Sequence, residues 1–289
     1  MKRIQIFPVI NFLILSFTAL LCVVPFIHIL ALSFSSSISA SQGLVKLWPV
    51  DFTTRSYSYV LKRTDFWRAM LVSIQRLAIG IPLSMVLTIM VAYPLSKETH
   101  AFKWRTAYSW FFFITMIFGG GMIPTYMVIK QTGLLDTIFA LTIPGAVPVY
   151  HILILLSFFR TLPKELEEAA LIDGAKQWKI LWKIFVPLSI PALATLLIFT
   201  AVGHWNSWFD GIIYMNRPQN YPLQSFLRTV ITMPDPTYLT SEEYMAMRDI
   251  SDRTIRGAHI FIAALPIILV YPFLQRHFVK GMVLGSVKG

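Results

Sequence analysis

Six apolar stretches, at about 9–33, 69–96, 107–129, 138–159, 184–209 and 258–275, dominate this chain of 289 residues. A membrane-crossing helix takes about 20 mostly apolar residues, because its backbone polar groups must be satisfied within the segment once water is gone. The last stretch is the shortest and needs flanking residues to cross. Charged residues make up only 13% of the sequence, and the mean hydropathy is +0.64. A soluble domain carries about a quarter charged residues. The pattern predicts an all-α polytopic membrane protein with six spans, one transmembrane domain over 1–289 and a core at about 69–280. Cys22 is the sole cysteine, which excludes an intrachain disulfide and a cysteine-based metal site.

The formal net charge is +11, but the basic residues are dispersed, so nucleic acid is not an expected partner. With the amino terminus inside, segments 1–8, 97–106, 160–183 and 275–289 hold 13 Lys and Arg in 57 residues. The outer segments 34–68, 130–137 and 210–257 hold 11 in 91. That asymmetry fits the positive-inside bias and predicts both termini in the cytoplasm. Met1-Lys2-Arg3 opens like a secretory signal, but the apolar region that follows is too long for a signal core and reads as an uncleaved anchor.

Arg76 is the one strong charge expected inside a span, with His28, His151 and His204 as the other ionisable groups there. No carboxylate lies in the central parts of the spans, a combination that favours an anionic ligand, although Arg76 is near enough to the end of its span to snorkel. His204, Trp205, Asn206 and Trp208, followed by Phe209 and Asp210, stand near the outer end of the fifth stretch. Aromatic faces stack on sugar rings and an amide serves hydroxyls; the same residues also suit an interfacial aromatic belt. Arg76, His204, Trp205, Asn206 and Trp208 are the candidate substrate-pathway residues. Gly119-Gly120-Gly121 with Pro124, and Pro144, Gly145 and Pro148, interrupt the third and fourth stretches as hinges or as packing devices. The outer loop at about 210–257 exceeds a connector, and Thr240-Ser241-Glu242-Glu243 has capping-box spacing; it reads as a lid or as a docking surface.

The segment at about 160–183 carries the most information. Pro163 suits the first turn of a helix, Glu165, Glu167 and Glu168 suit its positive end, and Gly174 can end it in a left-handed conformation. The spacing predicts a short helix, a stop and a restart. In the restart, Trp178, Leu181, Trp182 and Phe185 form one apolar stripe and Lys176, Lys179 and Lys183 another face, as in a helix lying along a membrane surface. Pro187 and Pro191 mark the turn into the fifth span.

Glu168-Ala169-Ala170, Asp173-Gly174-Ala175, Ile184, Pro187 and Pro191 resemble the EAA signature of permease subunits in binding-protein-dependent ABC importers. Ile123-Pro124, Gly133-Leu134-Leu135-Asp136-Thr137, Trp205-Asn206-Ser207-Trp208 and the ending Gly281–Gly289 are similar to the carbohydrate branch of that family. The resemblance covers roughly 10–289 and implies a six-span type I ABC importer permease fold. It further implies that the EAA helix docks in a separate cytoplasmic ATPase, with Glu168 in polar contact, Ala169 and Ala170 allowing close approach, and Asp173, Gly174 and Ala175 forming the turn. The tail residues Gly285, Ser286, Val287 and Lys288 are expected to reach the same ATPase. The implied partners are a second related permease, two ATPase subunits, an external or periplasmic binding protein and membrane lipid, with an oligosaccharide as cargo. No cofactor is expected on this chain. No Gly is followed by Lys, so a Walker A loop is absent, and ATP and Mg belong to the partner ATPase. Cargo expectations run from acidic oligosaccharides of uronate or alginate type to other solute classes. A stand-alone carrier or channel is the competing transport reading. A membrane enzyme lacks support, because His100 and His277 belong to no recognised metal pattern.

Overall fold

The computed structural model describes residues 6–232 and 253–269, and among these residues helices and irregular connections make up the whole structure. Among these residues, 6–67 with 226–232 and 253–266 form one compact unit, and 68–225 with 267–269 form another.

The first unit holds α1 (Ile6–Ser33), α2 (Ser37–Ser41), α3 (Arg55–Lys62) and most of a helix over 253–269. Helix α1 is apolar on every face and almost wholly exposed, as a helix solvated by lipid or by another apolar surface must be. Only its last turns enter a polar joint. There Ser33 Oγ lies 2.7 Å from Tyr57 Oη, and Ser35 Oγ donates to Ala31 O at 2.6 Å while accepting from Val50 N at 3.0 Å. Ser56 Oγ donates to Thr254 Oγ1 at 2.9 Å, tying α3 to the helix over 253–269.

The second unit holds all but the first turn of α4 (Thr64–Ser96), a helix of 33 residues. At 1.5 Å per residue it is about 50 Å long, well beyond the roughly 30 Å of a hydrocarbon core. Two helices of the described chain, α1 and α4, are long and apolar enough to cross a membrane unbroken. The third expected span is instead α5 (Arg105–Ile117) followed by α6 (Met122–Gln131), bent by 112° at Phe118–Gly121, where Gly121 has φ +88°. The fourth is interrupted more severely. A 3₁₀ turn at Ile138–Leu141 is followed by irregular chain, and α7 (Val149–Phe159) has only 11 residues. Pro144 and Pro148 cause the break, since neither supplies an N–H to the helical ladder. The sixth expected span is helical as far as residue 269, and 270–275 lie outside the described residues.

The predicted short helix, stop and restart are present between residues 164 and 188. Helix α8 (Lys164–Ile172) ends at Gly174, whose φ of +74° suits glycine. The chain restarts as α9 (Gln177–Ile180), a π turn at Leu181–Phe185 and α10 (Val186–Leu188), then bends by 81° at Ser189 into α11 (Ile190–Asn206). The restart differs from the expected surface helix. Ile180, Leu181 and Phe185 are buried in the core, whereas Trp178 is 60% exposed. The π turn widens the helix, so the stripe calculated for 3.6 residues per turn does not stay on one face.

That core joins α4, α7, α9 and α11 through Ile89, Tyr93, Ile152, Leu155, Ile180 and Leu196. Tyr93, Phe159 and Phe185 meet edge to face, with ring centroids 5.0–6.2 Å apart. Helices α12 (Phe209–Tyr214) and α13 (Leu223–Thr232) occupy part of the expected outer loop, while Thr240–Glu243 lie outside the described residues.

Asp136, with φ of 60°, fastens the turn after α6 to the chain following α12. Its Oδ1 accepts from the backbone N–H of Asn216 at 3.1 Å and of Arg217 at 3.3 Å, and from the Asn220 amide at 3.0 Å. Its Oδ2 pairs with Arg217 Nε at 3.2 Å. Burial opposes ionisation, but the Asn220 amide, the two N–H groups and the Arg217 charge outweigh it and hold the carboxyl below its ordinary value. A depressed folded pKa gives stability that is present above the unfolded value and lost as pH falls through the folded one. Protection factors of the amides at residues 214–220, taken against the intrinsic exchange rate at each pH, are therefore expected to fall on acidification. Asp136→Asn is expected to show lower protection at neutral pH and to lose that acid response.

Candidate functional site

Arg76 lies on α4 and is only 4% exposed. Its Nη1 donates to Asp210 Oδ1 at 3.1 Å, and its Nη2 pairs with Asp210 Oδ2, making a two-pronged ion pair. Its Nε donates to His204 Nδ1 at 3.2 Å. That bond requires His204 to carry its proton on Nε2. Gly80, one helical turn along α4, makes room for the ring: a Cβ there would stand 2.6 Å from His204 Nε2.

The chain after α11 is shaped to supply the carboxylate. At Ser207 the backbone leaves the helix with ψ of 124°, and α12 begins at Phe209. Asp210 Oδ1 also accepts from Ser207 Oγ at 2.8 Å and from Gly211 N at 2.9 Å. The Ser207-Trp208-Phe209-Asp210 spacing matches a capping box and was the available sequence signal, but Ser207 Oγ is engaged by the acid itself and Trp208 precedes α12 without a side-chain cap. The sequence reading missed this partner: the central parts of the spans hold no carboxylate, and Asp210, one residue beyond the fifth stretch, reaches the buried Arg76. Burying a guanidinium in an apolar bundle requires a counter-charge, and Asp210 provides it.

A cavity of about 510 Å³ opens beside this pair, within the range of small-molecule sites. Ser84, Pro144, Gly145, Pro148, His151, Thr200 and Tyr214 line it together with Arg76, His204 and Asp210. Thr200 Oγ1 lies 3.4 Å from His151 Nδ1, while the buried Ser84 Oγ has no hydrogen-bond partner within the described structure. Of the sequence-selected pathway residues, Arg76 and His204 face this cavity. Trp205, Asn206 and Trp208 are not among its lining. Trp205 is buried, and the exposed Trp208 packs edge to face on Phe209 with centroids 5.6 Å apart. The breakers at 144–148 are at the cavity, which gives the helix interruption a location.

The second constellation is α8. Glu168 and Ala169 are exposed, Ala170 is half-buried against the core, and Ile172 at the helix end is 87% exposed. Asp173 and Gly174 are exposed, and Ala175 N donates to Ala170 O at 2.9 Å, closing the turn. The tail residues Gly285–Lys288 lie outside the described residues.

Removing one member of a buried ion pair leaves the other uncompensated, at about 3–5 kcal/mol. Arg76→Gln and Asp210→Asn are each expected to destabilise by amounts of that order. The double variant is expected to recover at least half, as read by thermal unfolding of the detergent-purified protein.

The model of the family described as binding-protein-dependent transport system inner membrane component matches residues 4–284. Protein LplC of Bacillus subtilis (strain 168) is 41% identical over 288 residues, covering 100% of this chain and 97% of that protein. The polygalacturonan/rhamnogalacturonan transport system permease protein YtcP of the same organism is 38% identical over 285 residues, covering 99% of each. Among solved structures, a chain of a bacterial ABC transporter involved in the import of the acidic polysaccharide alginate matches with a TM-score of 0.88. The two share 32% identity over 96% of this chain and 98% of that one. The fold is therefore that of an ABC importer permease, a kind of subunit that works with an ATPase and a binding protein. This chain belongs to the family of binding-protein-dependent transport system inner membrane components, multi-pass proteins of the cell membrane that carry out transport and are not themselves enzymes.

Proposed function

We propose that this chain forms one half of the membrane pathway of an ATP-driven oligosaccharide importer, with both termini in the cytoplasm and six spans. The observation that carries the coupling role is α8: a short helix closed by a left-handed glycine, with Glu168 and Ala169 exposed and Ile172 almost bare. A large apolar side chain at a helix tip outside the bilayer is stabilised when another protein covers it. In this reading α8 seats in one of two ATPase subunits, which bind ATP and Mg, and Gly285–Lys288 extend the contact. A second related permease completes the pathway, and an external binding protein delivers the cargo to the side bearing α12 and α13.

The cargo we propose is an acidic oligosaccharide of the uronate type. The relative named for polygalacturonan and rhamnogalacturonan and the structural neighbour from an alginate importer support that class. Arg76 does not, because Asp210 compensates its charge. The cavity instead offers sugar chemistry through hydroxyls and imidazoles: Ser84, Thr200, Tyr214, His151 and His204 can serve ring hydroxyls of charged and neutral sugars alike.

In proteoliposomes holding the full complex, uronate oligomers are expected to outcompete neutral oligosaccharides of equal length. Preference for the neutral sugar would reject the acidic cargo while leaving the importer assignment intact. Gly174→Val forces a β-branched side chain into a left-handed turn, a strain of order 1–3 kcal/mol. It is expected to lower ATPase co-purification and transport at least severalfold with membrane insertion unchanged. Normal coupling in that variant would count against α8 as the docking element.

A further inference from the structure

Two consecutive residues just beyond α4 hold α8 by crossed charges. Lys97 Nζ donates to Glu167 Oε1 at 2.6 Å, and Glu98 pairs with Lys164. Lys164 and Glu167 are three residues apart and so share a face of α8. The two pairs have opposite polarity, so sliding α8 by one residue pair would bring like charges together.

The pairs also differ in environment. Lys97 and Glu167 are 12% and 20% exposed, against 72% and 54% for Lys164 and Glu98. The Lys97 ammonium lies 4.0 Å from the Tyr93 ring centroid and 4.3 Å from that of Phe185, so it joins the aromatic core to α8. Tyr93 Oη in turn donates to Gln177 Oε1 at 2.6 Å, and Arg160 Nη2 donates to Leu95 O at 3.2 Å. Burial pulls Lys97 below the ordinary lysine value against the lift from Glu167, while the Lys164 ammonium lowers Glu98. An exposed ion pair alone holds little, but this inner pair is shielded, aromatic-stacked and backed by α9.

We propose that Lys97 and Glu98 are positioning residues that clamp α8 to α4, so that the two move as one body whenever α8 is displaced. Arg76 stands 21 positions earlier on the same helix, about 30 Å away. The clamp thus gives a displacement of α8 a continuous helical route to the cavity, with the backbone ladder interrupted along it at Pro94 and Pro82. This inference rests on α8 being the ATPase-docking helix.

The test uses the complete complex in proteoliposomes, with Cys22→Ser as background because Cys22 is exposed. Lys97→Ala is expected to keep hydrolysing ATP while transport per ATP falls about tenfold, the scale of a typical coupling energy. Lys97→Arg should retain most coupling. Lys97→Cys with Glu167→Cys should be uncoupled until a short bifunctional thiol reagent joins the two positions, which should restore transport. Undiminished coupling in Lys97→Ala would overturn the clamp, as would a joined pair that hydrolyses ATP without transporting. Crosslinking from Glu168→Cys to the ATPase is scored alongside. Its failure in an otherwise unaltered complex strikes the docking reading and the clamp with it, whereas its persistence beside a fully coupled Lys97→Ala strikes the clamp alone.

Discussion

A guanidinium buried in an apolar bundle fixes the position of whatever neutralises it, and here that requirement organises the chain from residue 190 to residue 214. Helix α11 must end at Asn206, the link must turn at Ser207, and α12 must begin where Asp210 can reach both outer nitrogens of Arg76. His204 accepts from the third nitrogen, Nε, and the lack of a side chain at Gly80 leaves its ring a place to sit. The buried pair contributes less to net stability than its short contacts suggest, since desolvation offsets much of the attraction. Its larger effect is on register: α4, α11 and α12 fit together in the one arrangement that leaves no charge alone.

Helix α4 carries this pair and also ends beside α8, so one continuous element touches both constellations. Between them lies the core of Tyr93, Phe159 and Phe185, whose edge-to-face contacts tie α4 to α7 and to the π turn. Packed interiors are close to crystalline in density and transmit strain rather than absorb it. The bends at Phe118–Gly121 and at Ser189 are placed differently. Each separates two stiff helical pieces at a point where proline or glycine loosens the ladder.

Much of the architecture was legible in local chemistry. Pro163, the glutamates and Gly174 marked the beginning and end of α8, Pro187 and Pro191 marked the turn into α11, and the glycine run marked the sharp bend before α6. What was not legible depended on long-range geometry. Asp210 lies 134 residues from Arg76, and hydropathy placed it outside the span, so the arginine looked uncompensated. The stripe from Trp178 to Phe185 failed because it assumed 3.6 residues per turn across a stretch that winds as a π turn. Trp205, Asn206 and Trp208 have side chains suited to sugars, but composition does not tell which side of α11 faces the cavity.

The interruption at 142–148 has a consequence for solvent. Pro144 and Pro148 deny the carbonyls of Ala140 and Pro144 the donor that a continuous helix would give them, and in hydrocarbon each orphaned carbonyl costs several kcal/mol. These residues border a cavity large enough for many water molecules. Water filling such a space would donate to these carbonyls and raise the local dielectric. Under the function proposed above, a polyhydroxylated cargo entering the cavity would exchange its hydrating water for partners of the same kind.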